Sequence, residues 1–379
     1  MPSGKKTVVL YGVKQLKLRR EAEAFLDDDF RIIGFSDGHY TFDILEGRPF
    51  YAPAELKTLN IDYILLLSYS EATLAQMRVD LLLHGIPDGK IVDPILFLPS
   101  FNGIETLKSA ISNGNIVERI DRYYHGEEYL LFGLSYCKGL LPEYTNFPFF
   151  NCATASMDIY YNLAVFRYMR NKGLLTNVKE ALCLFPYYYL NLDSSRSRRS
   201  YQNACLYGIW QLNDLHHFPE TAGAENYIAN YRMFFSKFNA MYCSSRVSDC
   251  SYSRIIYQGD DYSAAPPPIF YKKHLETIEE NRALFFSFVD ELTDAGIKIR
   301  ILIPPFYLKG YTQAGIELMY EVKQEFYDMI AELKTHNEHI GVYDFFEQFS
   351  DKRSFFDDLQ HLNVEGAKEF SRLVNGIIS

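Results

Sequence analysis

The feature that most restricts this fold is a repeated switch between short apolar runs and stretches in which apolar residues recur at helical spacing. The first series occupies residues 6 to 94. It begins with the buried-strand pattern "TVVLYGV" and continues with Leu18, Ala22, Phe25 and Leu26 on one helical face. "FRIIGFSD" follows as a second strand ending at Asp37, then "IDYILLLS", then a helix through "EATLAQMRVDLLLHG" stopped at Gly85, then "KIVDP". A second series starts at Glu127, with strands in "EYLLFGLS", "KEALCLFPYYY", "IKIRILIPPF" and "IGVYDFF". Leu284, Phe285, Phe288, Val289 and Leu292 share a helical face ahead of Gly296, and Ala367, Phe370, Val374 and Ile377 mark a closing helix that Asn363 is placed to cap. Strand-helix alternation of this kind makes parallel sheets covered by helices, so the class is α/β.

With 379 residues the chain has room for two such units. The expected organisation is a small Rossmann-like parallel-sheet domain over 1–98, a linker and helix over 99–125, and a three-layer α/β/α domain of flavodoxin-like kind over 126–379. The stretch from Asp193 to Pro268 is aromatic and irregular, and includes the basic run "SSRSRRSY". A net charge of −10 without a Lys/Arg stripe excludes nucleic acid as a partner, because phosphate binding needs a basic footprint. The six cysteines are scattered without CxxC pairs, in apolar surroundings that suit free thiols in a reducing compartment. No signal-peptide pattern and no uninterrupted apolar run of membrane-spanning length is found, so the expectation is a cytoplasmic protein that does not span a membrane.

The turn after the first strand, "YGVKQLK", holds the single Gly12, so the glycine fingerprint of a dinucleotide site fails. Asp37 stands where an acidic residue could meet a ribose, which leaves a nucleotide or nucleotide-sugar ligand open beside a purely structural role. "GFSDG" with "GRPFYAPAEL" resembles the small N-terminal domain of sugar O-acyltransferases and related sugar-modifying enzymes.

Chemistry concentrates at two remote points. After the strand "EYLLFG" comes Gly133-Leu134-Ser135-Tyr136-Cys137-Lys138-Gly139, and near the other end "DDLQHLNVEGA" places Asp358 and His361 three apart ahead of a helix. A serine hydroxyl becomes a useful nucleophile when an imidazole removes its proton during attack, and a carboxylate on that imidazole fixes its tautomer. Either motif alone has a structural explanation, as a small-residue turn or a helix cap. In their order along the domain the two resemble the first and last sequence blocks of the SGNH/GDSL hydrolase superfamily. That resemblance implies Ser135 as nucleophile, His361 as base and then acid, Asp358 as orienting group, and no metal or organic cofactor.

It also implies an oxyanion hole from two further blocks, where the match loosens. Ala155 or Ser156 stands in the place of a glycine, and Asn191 is offered without the Gly-x-Asn-Asp of the family. These departures, with "NRALFFSFVDELTDAGIKIRILIPPF", resemble the branch containing the polysaccharide O-acetyltransferases and the D-alanyl transfer protein of teichoic acid synthesis. The implied function is a serine-dependent O-acyl or acetyl esterase or acyltransferase acting on an acylated carbohydrate in cell-surface polysaccharide synthesis. The alternative is a catalytically degenerate carbohydrate-binding or scaffold protein. Asp158 and Tyr160 could support the site. Tyr187, Tyr188 and Tyr189 would alternate across a strand if extended. His216 and His217, being adjacent, should point apart and find no third ligand, which excludes a metal site there.

Overall fold

The computed structural model describes residues 5–26, 29–39, 43–93, 116–154, 157–196, 216–217, 233–234, 274–337 and 339–378. The chain divides into two compact units, Met1–Ile111 with Pro219–Val247, and Ser112–Phe218 with Ser248–Ser379. The first unit thus includes a return segment that the division at 98 and 126 assigned to the second domain. Of that segment, the fully buried Phe234 ring lies 5.3 Å from both Phe30 and Tyr63 and 6.3 Å from Phe25.

In the first unit β1 (Lys6–Tyr11), β2 (Phe30–Ser36), β5 (Tyr63–Leu66) and β6 (Ile91–Val92) are the four strands expected, joined by α1 (Leu16–Leu26) and α2 (Glu71–Leu83). Two more, β3 (Ile44–Leu45) and β4 (Arg48–Tyr51), extend the sheet to the order β3-β4-β2-β1-β5-β6. The pair β3/β4 is an antiparallel hairpin turned by Glu46 and Gly47, both at positive φ. Salt bridges from Arg19 to Glu46 (2.7 Å) and Arg48 to Glu23 (3.0 Å) tie it to α1. Four alternating residues carry too weak a period to be read as a strand, and the hairpin shows only in its partners.

The second unit holds a wholly parallel sheet of β7 (Tyr129–Gly133), β8 (Phe149–Asn151), β9 (Glu180–Leu184), β10 (Lys298–Ile303) and β11 (Ile340–Asp344), in the order β11-β10-β9-β7-β8. Counted from β7 this is the 2-1-3-4-5 order of doubly wound flavodoxin-type sheets; the alternation predicts the parallel pairing, and the order is set by the tertiary structure. Strand β8, three residues inside an aromatic run, is the one the periodicity misses. The helices are α3 (Ile116–Tyr123), α4 (Ile159–Asn171), α5 (Leu275–Asp294), α6 (Gln313–His336) and α7 (Val364–Ile378).

The register assigns the layers. Phe132, Cys183 and Ile301 are neighbours across the sheet and point to one face, where Phe132 meets Phe166 of α4 and Phe288 of α5. Phe285 of α5 in turn meets Phe326 of α6. Arg300, one position out of that row and hence on the opposite face, bonds to the Ile377 carbonyl of α7. Each buried phenylalanine of this core is worth about 1.5–3 kcal/mol in apolar area removed from water. Because β8 lies on one side of β7 and β10 beyond β9 on the other, the connections leaving the carboxyl ends of β7 and β9 run in opposite directions. Open α/β sheets have their crevice at that point. Two residues beyond the end of β7 stands Ser135.

Candidate active site

Strand β7 ends at Gly133 with φ +149°, and a Cβ there would lie 2.4 Å from the Leu184 carbonyl oxygen and 2.6 Å from Cys137 Sγ. The glycine is therefore required by close approach of β9, not by turn chemistry alone. Its N–H donates to Asn162 Oδ1 at 2.9 Å and its carbonyl accepts from Asn162 Nδ2 at 3.1 Å. Asn162 is fully buried on α4, where Asp158 caps the helix by accepting the Tyr161 N–H and also accepts the Ser194 N–H at 2.9 Å. One rigid helix thus grips the residue from which the next two lead to Ser135, the first of a 3₁₀ turn through Gly139.

The second segment is equally constrained. Phe356 and Leu362 bridge, the Asp357 N–H donates to the His361 carbonyl at 2.9 Å, and Asn363 Oδ1 accepts the Gly366 N–H at 3.0 Å, capping α7 as expected. Inside this loop Asp358 Oδ1 accepts the N–H groups of Gln360 (2.6 Å) and His361 (2.7 Å). Its other oxygen, Oδ2, lies 2.7 Å from His361 Nδ1, and His361 Nε2 lies 2.8 Å from Ser135 Oγ. A carboxylate only accepts, so Nδ1 carries the proton and Nε2 is left to take that of Ser135.

Burial alone would raise the Asp358 carboxyl, but its hydrogen bonds to His361 and to two backbone N–H groups, with the His361 charge, hold it below its ordinary value. It is charged at neutral pH. The row is open to water along one side, the His361 and Asp358 side chains being 38% and 49% exposed. The buried Tyr136 ring covers the other, stacked on His361 at 5.0 Å and 18°. Its hydroxyl donates to Gln360 Oε1 at 2.8 Å and lies 3.0 Å from that of Tyr188. Burial raises the Tyr136 and Tyr188 phenols well above their usual value, and pushes Tyr311 up to about 12. All three stay neutral.

Asp357 behaves oppositely to its neighbour. Burial, then the charge of Asp358, pushes its carboxyl up to about 6. With a folded value above the unfolded one of about 3.9, its protonated form favours folding in acid, and that contribution is lost as pH rises through 6. An Asp357→Asn chain is expected to melt about 2 °C above the parent at pH 8 and level with it at pH 4, as thermal melts at the two pH values would read.

The remaining candidates are placed as follows. Ala155 and Ser156 lie outside the described residues. Asn191 is buried in a 3₁₀ turn, and no hydrogen bond among the described residues joins it to Ser135, Asp358 or His361. Tyr187, Tyr188 and Tyr189 do not alternate on a strand: β9 stops at Leu184, Pro186 follows, and all three rings are buried in the turn beyond. In the first unit a Cβ on Gly12, at φ +93°, would meet Met77 and the Leu67 carbonyl at 2.6 and 2.8 Å, so close packing and backbone conformation account for this glycine. Asp37 is buried and its carboxylate accepts the His39 N–H at 2.9 Å. His216 and His217 do not point apart, their rings stacking at 3.9 Å. The expectation held for helix or strand geometry, whereas His217 has φ +54°.

Asn162 is the supporting residue that sequence reasoning missed. Its signal was a lone amide within "IYYNLAVF", four residues after Asp158, on what is otherwise a buried apolar face. Comparison with protein-family models and with curated proteins returns no match to this chain.

Proposed function

We propose that the second unit is a serine-dependent acyl-ester enzyme with Ser135 as nucleophile. The observation that carries this reading is the unbroken row of Ser135 Oγ, His361 Nε2, His361 Nδ1 and Asp358 Oδ2, with contacts of 2.8 and 2.7 Å. Ser135 Oγ attacks the acyl carbon while its proton passes to His361 Nε2. The tetrahedral adduct collapses, the bond to the leaving alcohol breaks, and that alcohol takes the proton from Nε2, leaving acyl-Ser135. An acceptor hydroxyl, from water or a sugar, then gives its proton to Nε2 as it attacks the acyl carbon, and when the second adduct collapses the bond to Ser135 Oγ breaks and Oγ takes that proton back, restoring the serine and the neutral imidazole. Asp358 keeps the ring in the productive tautomer and stabilises the imidazolium. The acyl group we assign is acetyl on a carbohydrate, following the resemblance to polysaccharide O-acetyltransferases, and the compartment is the cytoplasm, which the buried free thiols of Cys137, Cys152 and Cys183 suit.

A fluorophosphonate probe tests the chemistry without knowledge of the substrate. The intact chain is expected to label on one serine, and Ser135→Ala to abolish that label while melting as the parent does. An unlabelled parent chain, or labelling that survives the substitution, would defeat the proposal.

A further inference from the structure

The corrected position of His216 and His217 creates a cluster that the acyl chemistry does not use. The left-handed backbone at His217 folds adjacent imidazoles face to face, and side chains rarely adopt that conformation without compensation from their surroundings. Both Nε2 atoms converge on one carboxylate of α5, at 2.9 Å from His216 to Glu280 Oε1 and 3.5 Å from His217 to Glu280 Oε2. The three ligand atoms lie within 4.8 Å of one another. The 2.9 Å contact of His216 is a normal hydrogen bond, whereas the second ring, stacked on the first, approaches the other carboxylate oxygen at 3.5 Å, longer than a good hydrogen bond. Spacings of about 3.3 Å are what a tetrahedral ion with bonds of about 2.0–2.1 Å imposes on its ligands.

The surroundings are those of ligands held for a purpose. His217 Nδ1 faces Asp193 Oδ2 at 3.4 Å, a carboxylate that also accepts the Arg196 Nε–H at 3.2 Å, so an orienting carboxylate of the carboxylate-histidine kind stands next to the ring. Asp193 is itself held by the Ser195 N–H (2.9 Å) and hydroxyl (2.6 Å). The Tyr160 ring lies flat on His216 at 3.6 Å and 4°. Beside the cluster opens a cavity of 370 Å³ lined by His217, Glu280, Asp193 and Glu276, with Arg196 also on its wall and paired to Asp193. We propose that His216, His217 and Glu280 bind a zinc ion, with Asp193 orienting His217 and the fourth coordination position facing the cavity. Two neutral imidazoles and a carboxylate form a nitrogen and oxygen set suited to zinc and unlike the all-oxygen sets of calcium or magnesium.

The test uses the full chain without a histidine tag, stripped with a chelator and titrated with zinc chloride in a calorimeter. One ion per chain is expected, and cobalt(II) chloride added to the same apo-protein should give the intense visible bands of a four-coordinate site. Glu280→Gln and His217→Ala should abolish the tight phase. Asp193→Asn, which keeps all three ligands, should weaken it by about 10- to 100-fold. Far-ultraviolet circular dichroism of each variant separates lost binding from lost fold, and the cobalt spectrum of the parent needs no variant. Absence of zinc binding by the parent would reduce the cluster to an ion-pair group and overturn the proposal. Undiminished binding by folded Glu280→Gln and His217→Ala chains would place the metal elsewhere and overturn it equally.

Discussion

Substitution of Asp358 by asparagine is expected to lower kcat for hydrolysis of an acyl ester by about ten-thousandfold, with little change in the fold. The two backbone N–H groups that Asp358 Oδ1 now accepts, from Gln360 and His361, would still demand an oxygen. The amide nitrogen would therefore face His361 Nδ1 in place of Oδ2. As a donor it forces the ring proton onto Nε2, where it blocks removal of the Ser135 proton. His361→Ala should cost more, about a millionfold, because the base itself is gone. Steady-state rates on an aryl acetate read both, and an Asp358→Asn chain within tenfold of the parent would refute the relay. A stability signature accompanies it. Asp358 titrates below its unfolded value of about 3.9, so its contribution is present above that value and lost as pH falls through the folded one. The asparagine chain should thus melt below the parent at pH 7 and level with it near the acid end, the reverse of Asp357→Asn.

Gly133→Ala is expected to be strongly destabilising, combining a backbone clash with a disfavoured φ. The new carbon would stand 2.4 Å from the Leu184 carbonyl oxygen and 2.6 Å from Cys137 Sγ, at a φ of +149° that L side chains rarely adopt. Neither strand can retreat, since Gly133 pairs with Leu184 in the sheet and is clamped on both polar groups by Asn162. A loss of about 3 kcal/mol or more is expected in urea unfolding. In whatever folded fraction remains, a shift of Ser135 by about 1 Å should cut kcat/KM about a hundredfold. Adding Cys137→Ala relieves the sulfur contact but not the carbonyl, so the double variant should stay nearly as unstable. A Gly133→Ala chain with the parent's urea midpoint would show that β7 and β9 do not approach so closely.

The chemistry of the row was legible before any fold because its parts are local. Asp358 and His361 share one short loop, and Ser135 follows an apolar run between glycines at the spacing of a strand-to-helix turn. Apolar period likewise announced β1, β2, β5, β6, β7, β9, β10 and β11, whose apolar runs extend beyond the residues that pair. The short strands β3, β4 and β8 carry no such pattern and exist through pairing with longer neighbours.

What composition and period determined by themselves was the α/β class, the parallel sheets and the residue types available for acyl chemistry. Only tertiary structure decided that Ser135 and His361 meet across 226 positions of sequence, that Asn162 grips Gly133, and that His216 and His217 turn to Glu280. The reason is physical. Burial and hydrogen-bond period are properties of neighbouring residues, whereas a proton relay or a ligand set is a coincidence in space, fixed by strand order and by a single backbone angle such as that of His217.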